Sequence, residues 1–237
     1  MAQKIDVRTG MTEYHKINSI QKRYDDGPLK GQFTGEWVDP VYEYLQDCQW
    51  ICREKIDGTN IRIHYGLAED GSVARAIGGR SNNSSIPAPL YQRIEALFPL
   101  DGDDTLVRSI FDESALQAGV TLYGEGFGAG IQKGGNYGPV DFILFDVQVG
   151  GWWLDEENIT DIAQKFGVQR VPIYESIATL REAITKVSTH SLMSHWEGVE
   201  VEGIVAVPAV PLFDRRGNRI VVKVKGRDYP KTQATAS

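Results

Sequence analysis

The sequence predicts an α+β fold made mostly of antiparallel sheets. Segments in which apolar and polar residues alternate are interspersed with segments at helical spacing, without the regular βαβα rhythm of a doubly wound sheet. No repeat, low-complexity tract or long Ser/Gly/Pro linker interrupts them. The 237 residues are enough to bury a sizeable core, and we expect one domain over residues 1–237.

The first half of the chain predicts turns, helices and a strand pair. Polar turns, DDGP and KGQFTGEW, precede a predicted helix, PVYEYLQDC. QWICREK and NIRIHYG alternate with period two, which predicts strands on either side of the turn IDGT. After the turn EDGS, the pattern predicts a strand in SVARAIGG and then helical pieces in PLYQRIEALF and SIFDESALQAG.

The second half continues the same mixture. TLYGEGFG predicts a strand that runs into glycines, and DFILFDVQV predicts an apolar strand. ENITDIAQKFG is an amphipathic helix that ends at Gly167, and a short strand, VPIYES, precedes another helix, IATLREAITKVSTHS. The end of the chain predicts strands in VEGIVAVP and RIVVKVKG, joined through a turn at DRRGN.

Composition indicates an ordinary globular protein. The chain is 41% hydrophobic and 24% charged. It begins without an apolar signal region, and no apolar run approaches the length needed to cross a bilayer, so we expect a cytoplasmic protein with no membrane partner. Cys48 and Cys52 lack a second cysteine pair, which favours two reduced thiols over a zinc site.

The charge balance argues against a nonspecific nucleic-acid coat. The net charge is −7, whereas phosphate binding relies on clustered Lys and Arg. One basic run near the C-terminus is either a solvated strand face or a local basic cleft on an acidic body. It consists of Arg215, Arg216, Arg219, Lys223, Lys225, Arg227 and Lys231.

The familiar nucleotide and hydrolase motifs are absent from the sequence. Lys133 in GAGIQKGG is preceded by glutamine and followed by glycine, so the stretch is not a Walker A loop. The glycine spacing does not give GxGxxG running into a helix, and no GxSxG, HExxH or EF-hand pattern occurs. The four histidines show no metal-ligand spacing and are expected to be ordinary polar or packed residues.

Lys55 is the residue whose surroundings point to chemistry. It lies in REKIDGTN, beside a glycine turn at the edge of a strand. A lysine attacks phosphorus only as a neutral amine, so it must be buried or lie beside other cations. The strand RIVVKVKG alternates, so Lys223 and Lys225 share a face, where they would bind a triphosphate and disfavour the charged form of a neighbouring lysine.

Two carboxylates occupy similar places in the sequence. Glu125 in GEGFG and Glu202 in VEGIV both lie at strand ends next to glycine. Taken singly, each is more often a surface carboxylate. The set of EKIDGTN, LYGEGFG, FILFDV, EGIVAV and VVKVKG, in that order, carries more information than any one member.

These five ordered motifs resemble the covalent nucleotidyltransferase superfamily of ATP-dependent ligases and capping enzymes. Within it, the chain is similar to RNA ligases of the RNA ligase 2 type, because of REKIDGTN after a tryptophan strand, GAGIQK after GEGFG, RRGNR before the lysine strand and the opening YHKINSIQKRYDDG. The resemblance covers nearly the whole chain. It implies the ligase and capping-enzyme fold, which is ATP-grasp-like, with antiparallel sheets and flanking helices around an ATP cleft.

The resemblance also implies roles for particular residues. Lys55 matches the lysine that forms the AMP adduct, assisted by Lys223 and Lys225 as catalytic and phosphate-contacting residues. The remaining matches are Glu54 and Ile56 at adenine, Asn60 and Arg80 at the sugar and phosphate, Glu125 at a ribose hydroxyl, Phe145 stacked on adenine, Glu202 and Asp57 at the metal, and Arg80 and Arg215 at the substrate end.

The implied reaction is RNA ligation with ATP and Mg²⁺ or Mn²⁺. AMP is first bound covalently to lysine, then passed to a 5′-phosphate, and a 3′-hydroxyl finally displaces it, which suits nick sealing in RNA repair. The alternatives are DNA nick ligation, capping with GTP, adenylation of ends without sealing, and a noncatalytic module that binds nucleotides or RNA ends.

Two departures from the family pattern qualify these expectations. Relatives often carry a basic residue where this chain has Val207, so one phosphate contact is missing or comes from elsewhere. Few residues follow the lysine strand, so we expect a bare catalytic domain without a C-terminal OB or helical domain. A grip on the nucleic-acid partner would then call for an accessory protein or a domain acting in trans.

Overall fold

A computed structural model describes residues 10–100, 102–132 and 136–229 of the chain. Twelve strands lie in these ranges: β1 (Asn18–Ser19), β2 (Gln21–Arg23), β3 (Phe33–Trp37), β4 (Trp50–Glu54), β5 (Thr59–Leu67), β6 (Val73–Gly79), β7 (Val120–Phe127), β8 (Asp141–Val149), β9 (Trp152–Trp153), β10 (Gln169–Arg170), β11 (Gly203–Pro208) and β12 (Val222–Lys225). The same ranges hold six α-helices: α1 (Pro40–Tyr44), α2 (Ala88–Leu97), α3 (Thr105–Ile110), α4 (Glu113–Ala118), α5 (Glu156–Phe166) and α6 (Leu180–Ser188).

The described residues divide into two compact units. The larger unit contains residues 10–14 and 57–171, and the smaller unit contains residues 15–56 and 172–229. The chain therefore changes unit directly after Ile56, one residue beyond Lys55. The expectation of a single domain over residues 1–237 stays a prediction.

The larger unit is built on a six-stranded sheet with the order β10-β8-β7-β5-β6, to which β9 adds by pairing with β8. All pairs are antiparallel except β10 with β8. One face of the sheet is covered by helices and holds the apolar core. Members of this core are Ile61, Ile63, Tyr65, Leu122, Phe142, Leu144, Val147, Leu90, Ile94, Ile159 and Phe166.

The smaller unit is built on a four-stranded sheet with the order β1-β12-β11-β4, beside a two-stranded β2–β3 sheet. Its pairs are antiparallel except β1 with β12. Helices α1 and α6 contribute to a second core. Its members include Tyr42, Trp50, Cys52, Leu180, Ala183, Val187, Ile204, Ala206, Val222 and Val224.

The longer helices form where apolar spacing and capping agree. In α5 the buried residues recur at helical spacing, Asp155 caps the first turn, and the helix ends at Gly167 as predicted. In α6 the side chains of Thr179 and Glu182 form a reciprocal capping box. The amphipathic patterns were therefore sufficient to place both helices.

The predicted α+β class with mostly antiparallel sheets is confirmed, and three local predictions were wrong. Residues of the predicted turn KGQFTGEW form β3. Their mixed composition does not indicate a strand, and pairing with β2 is what stabilises one. The predicted strand VPIYES is only an isolated bridge between Ile173 and Arg53, and the strand lies earlier, at Gln169–Arg170. The predicted helix PVYEYLQDC ends at Tyr44.

Within the described ranges, no helix is both long and apolar enough to cross a membrane.

Candidate active site

Three charged side chains meet at one end of the sheet in the smaller unit. The Nζ atom of Lys55 lies 2.6 Å from Oε2 of Glu202, and the Nζ atom of Lys225 lies 2.6 Å from Oε1 of the same carboxylate. All three side chains are largely buried. Glu202 thus gives one oxygen to each ammonium group, which is the arrangement that lets a buried carboxylate remain charged.

Strand pairing brings these residues together from distant parts of the sequence. In the β11–β12 pair, Gly203 lies opposite Lys225, and the backbone N–H of Lys55 donates to the carbonyl of Gly203 at 2.9 Å. A Cβ atom at Gly203 would clash with the carbonyl oxygen of Val224. The glycine after Glu202 is therefore required by the close approach of the two backbones.

Lys223 extends the cluster along the same face of β12. It lies opposite Val205 on β11, two residues before Lys225. Burial, followed by the positive charges of Lys225 and Lys55, lowers the pKa of Lys223 to about 8. The charges of two neighbouring lysines thus add to burial in destabilising the ammonium form of Lys223.

Glu202 has the opposite electrostatic balance. Burial pushes the pKa of its carboxyl group upward, but Lys55 and Lys225 outweigh burial through their charges and hydrogen bonds. The net effect is a pKa below the ordinary value for glutamate. Glu202 remains ionised, so the cluster keeps a fixed negative charge between its lysines.

Glu54 and Ile56, the neighbours of Lys55, are both buried. The Glu54 carboxylate accepts hydrogen bonds from Ser194 Oγ at 2.6 Å, from the His195 backbone at 3.0 Å and from His195 Nδ1 at 2.7 Å. Both of its oxygens are thus engaged by the segment that precedes β11. Its predicted contact with adenine stays a prediction.

The larger unit brings together another part of the predicted set. Asn60 on β5 lies directly opposite Glu125 on β7, so the two side chains share the face of the sheet away from the apolar core. Asn60 Oδ1 is buried and has no hydrogen-bond partner among the described residues. Buried polar atoms are normally paired, and an unpaired oxygen here is compatible with the nucleotide contact expected of Asn60, which stays a prediction.

Phe145 lies on β8 at a β-bulge. Tyr123 on β7 pairs with Asp146 and Gly124 pairs with Leu144, which leaves Phe145 as the extra residue. Its ring packs edge to face against Tyr14 with centroids 5.2 Å apart, and the Tyr14 hydroxyl donates to Asp146 at 2.6 Å. The bulge changes the directions of side chains relative to a regular strand, and the Tyr14 ring and hydroxyl hold Phe145 and Asp146 in place.

The remaining predicted residues lie at loops and turns. Arg80 is exposed directly after β6 in the larger unit, and Arg215 is exposed in the turn between β11 and β12 in the smaller unit. Asp57 begins the larger unit, where its backbone N–H donates to the Tyr137 hydroxyl at 3.2 Å. Lys231, the last member of the basic run, lies outside the described residues.

The described residues fit a metal ion that arrives with phosphates. They contain no group of three or more His, Cys, Asp or Glu side chains that could hold a metal ion by themselves. Mg²⁺ commonly keeps several waters and binds through one or two carboxylates plus substrate phosphates. The Glu202 carboxylate has the chemistry for this, because each of its oxygens keeps a second lone pair beyond its lysine contact. The pairing of Asp57 with Glu202 at a metal stays a prediction.

Four residues near the predicted ones were missed by sequence reasoning. Arg62 is fully buried on β5 and donates to the carbonyl of Gly79, next to Arg80. Tyr14 supports Phe145, while Ser194 and His195 hold Glu54 across about 140 positions of sequence. Alternation within NIRIHYG could have flagged Arg62, since it places an arginine inside a buried strand. We find no sequence signal for the other three.

Comparison with known proteins agrees with this architecture. An RNA ligase family model matches residues 48–225, well over half of the chain. A mutant RNA ligase of Naegleria gruberi with ATP and Mn superposes with a TM-score of 0.58 at 15% identity, over 92% of this chain and 57% of that one. The Naegleria gruberi RNA ligase with PPi gives a TM-score of 0.55 at 17% identity, over 90% and 62% of the two chains.

The chain shares the α+β fold of these solved RNA ligases. Because the family model spans β4 through β12, the chain belongs to the RNA ligase family. It covers less than two thirds of the length of the solved ligases that it matches.

Proposed function

We propose that the chain is an ATP-dependent RNA ligase that joins 3′-hydroxyl and 5′-phosphate ends through a covalent lysyl-AMP intermediate. The observation that carries the proposal is the buried cluster in which Lys55 and Lys225 share the Glu202 carboxylate, with Lys223 on the same face. Membership in the RNA ligase family supports RNA as the substrate and ligation as the activity.

Ligands solved with relatives support the first step. Mutants of the Naegleria gruberi enzyme were solved with ATP and Mn and with AMP and Mn, and the ligase was also solved with PPi. ATP is the substrate of an adenylation step, whereas AMP and pyrophosphate are the two parts into which that step divides it. We extend this set, with Mg²⁺ or Mn²⁺, to the present chain.

In the first step, the Lys55 amine attacks the α-phosphorus of ATP. A phosphorus–nitrogen bond forms, the bond to pyrophosphate breaks, and the attacking nitrogen releases a proton to solvent. An ammonium group has no lone pair, so the 2.6 Å contact of Lys55 with Glu202 must open and the proton must leave before attack. Lys223 and Lys225 contact the triphosphate and offset the charge that develops on the departing pyrophosphate.

A divalent ion held by Glu202 and Asp57 would supply further neutralisation of phosphate charge when it is bound. The chain's own residues orient the nucleotide. Asn60 and Glu125, facing each other on adjacent strands, suit the ribose, and Phe145 suits stacking on the base. Ile56 adds apolar contact at adenine, and the backbone of Glu54 adds a polar one.

The two later steps use the stored adenylate. An oxygen of the RNA 5′-phosphate attacks the phosphorus of lysyl-AMP, which breaks the phosphorus–nitrogen bond and adenylates the RNA end. The oxygen of a 3′-hydroxyl then attacks the 5′-phosphate, the bond to AMP breaks so that AMP leaves, and the hydroxyl proton passes to solvent. Arg80 and Arg215, both exposed, are our candidates for holding the RNA end. An accessory protein or a domain acting in trans remains part of the proposal for substrate grip.

Covalent labelling tests the nucleophile. With α-labelled ATP and Mg²⁺, the wild-type chain should become labelled, and Lys55→Ala should abolish the label because no other amine occupies that position. Lys186→Ala, which removes an exposed lysine from α6, is the matched control and should label normally. A Lys55→Ala protein that retains the label would contradict the assignment of Lys55.

Sealing requires a second assay. Nicked duplexes with RNA or DNA in each strand position should be sealed best when RNA lies at the junction, and ATP should support the reaction better than GTP. Accumulation of adenylated strand without sealed product would identify an enzyme that only activates ends. Equal sealing of all-DNA nicks would favour DNA ligation instead.

A further inference from the structure

The buried Glu54 carboxylate forms a link between the nucleophile strand and a distant loop. Glu54 is the last residue of β4, next to Lys55, and its side chain is fully buried. A buried charge is unfavourable unless hydrogen bonds compensate it. Three donors do so here: Ser194 Oγ bonds Oε1, and the backbone N–H and Nδ1 of His195 bond Oε2.

The Glu54 carboxylate and the Lys55 side chain lie on opposite sides of the backbone. Trp50 and Cys52 on β4 belong to the apolar core, so alternation places Glu54 on the core side as well. Lys55 follows on the opposite side, where Glu202 and Lys225 lie. The Glu54 side chain therefore acts on Lys55 through the backbone and not by direct contact.

The loop between α6 and β11 binds the side chains of both Glu54 and Lys55. Ser194 and His195 hold Glu54 from the core side, and Glu202, at the end of the same loop, holds the Lys55 ammonium group. Tyr174 fixes the loop further, since its hydroxyl donates to the Met193 carbonyl at 3.0 Å and its ring lies 5.0 Å from that of His195. The backbone that carries Lys55 is thus held in register with Glu202.

We propose that His195 and Ser194 are positioning residues for nucleotidyl transfer, because they fix the buried Glu54 carboxylate and through it the backbone that carries Lys55. This inference rests on the proposed function. Small displacements of a nucleophile reduce its rate of attack steeply, whereas the affinity for ATP depends on many other contacts. Loss of the link should therefore lower the rate of lysyl-AMP formation at saturating ATP more than it changes the ATP concentration at half-saturation.

The geometry of His195 gives a sharp pair of variants. An ionised carboxylate only accepts, so Nδ1 must carry the proton that binds Glu54. The side-chain amide of asparagine places an N–H group near the position of Nδ1, whereas that of glutamine places it near Nε2. His195→Asn should therefore preserve the link that His195→Gln breaks.

The experiment compares single-turnover labelling by the full chain with α-labelled ATP. At saturating ATP, His195→Gln should slow labelling about tenfold, the size expected for losing a hydrogen bond to a buried charge. His195→Asn should stay within about threefold of wild type, and Ser194→Ala, which removes one donor, should fall between the two. His190→Asn is the control, since it replaces another histidine of the same loop at a left-handed position that asparagine tolerates.

Hydrogen exchange of residues 189–202 provides a readout independent of chemistry. His195→Gln should accelerate exchange in this loop, and His195→Asn should restore protection. Equal labelling rates for the Asn and Gln variants, or parallel losses of rate and thermal stability in both, would overturn the inference. Should His195→Gln fail to fold, Ser194→Ala decides in the same assays. A wild-type chain that takes up no label would overturn the proposed function itself, which is a distinct result.

Discussion

At the scale of single residues, the cluster around Glu202 is asymmetric. Glu202 gives one oxygen each to Lys55 and Lys225, while Lys223 lies nearby with its pKa lowered to about 8. The expected nucleophile thus begins as one half of an ion pair, and a lysine with a lowered pKa lies near it. We infer that substrate binding must rearrange these contacts before Lys55 reacts, because a carboxylate partner stabilises the ammonium form.

The lowered pKa of Lys223 predicts a particular dependence of stability on pH. In an unfolded chain a lysine releases its proton near pH 10.4, whereas folded Lys223 does so near pH 8. Below pH 8 both states hold the proton, and the folded state carries the full cost of a crowded charge. Between these values only the unfolded state holds it, so the folded state gains stability as pH rises.

Lys223→Met keeps a side chain of similar length but removes its charge, so it isolates the contribution of Lys223 to the pH dependence of stability. The variant should be more stable than wild type below pH 8, and the difference in the free energy of unfolding should shrink as pH rises from 8 to 10.5. Urea denaturation across this range measures it, with exposed Lys186→Met as the control. A difference that does not vary with pH would contradict the lowered pKa.

At the scale of elements, glycines set how closely strands approach the site. Gly58 lies in the turn between β4 and β5, and a Cβ atom there would clash with the Gly126 carbonyl and lie 2.7 Å from Glu125 Cγ. Part of that obstacle is backbone, which cannot rotate away. The turn and the pairing of Asn60 with Glu125 therefore depend on a residue without a side chain.

Gly58→Ala should lower the free energy of unfolding by about 1–3 kcal/mol, as overpacking commonly does. The control is Gly66→Ala, in the strand β5 that follows the turn, where the nearest atom to the added Cβ would be an ordinary 3.7 Å away. It should be neutral or stabilise by up to about 1 kcal/mol, because alanine restricts the unfolded chain. Urea denaturation of both variants gives the comparison, and similar losses in the two would show that the close approach at Gly58 is unimportant.

At the scale of the whole molecule, the proposed function requires an acidic chain to bind an acidic substrate. The net charge of −7 disfavours broad electrostatic attraction to RNA, so we expect few phosphate contacts, provided by exposed arginines such as Arg80 and Arg215. Recognition of an RNA end would then depend on the site and little on the surrounding surface.

Salt dependence of RNA binding measures the number of contacts. For single-stranded RNA with a 5′-phosphate, the slope of log Kobs against log salt should be about −2, equivalent to roughly three phosphates. Arg80→Ala should make the slope shallower by about 0.7, one contact. Arg93→Ala, whose guanidinium already pairs with Asp141, should leave it unchanged. A slope steeper than about −5 would instead indicate an extended basic groove.

Much of the secondary structure was predictable because it depends on local pattern. Helices α5 and α6 follow from apolar spacing with capping residues, and β4, β5, β7, β8, β11 and β12 follow from alternation or apolar runs. Strand β3 was not predicted from its own residues, because a short polar strand forms only by pairing with a neighbouring strand, here β2. The parallel pairs that add β1 and β10 were unpredicted for the same reason.

The sequence by itself determined the α+β class, the order of the motifs and the family to which the chain belongs, since these depend on local periodicity and on residue types at fixed spacing. Only the tertiary structure decided how the motifs are used. In the folded chain Glu202 pairs with two lysines, Phe145 is the extra residue of a bulge, and Glu54 is hydrogen-bonded to His195, 141 positions away. These contacts depend on strand register and on the path of a distant loop, which no local pattern encodes.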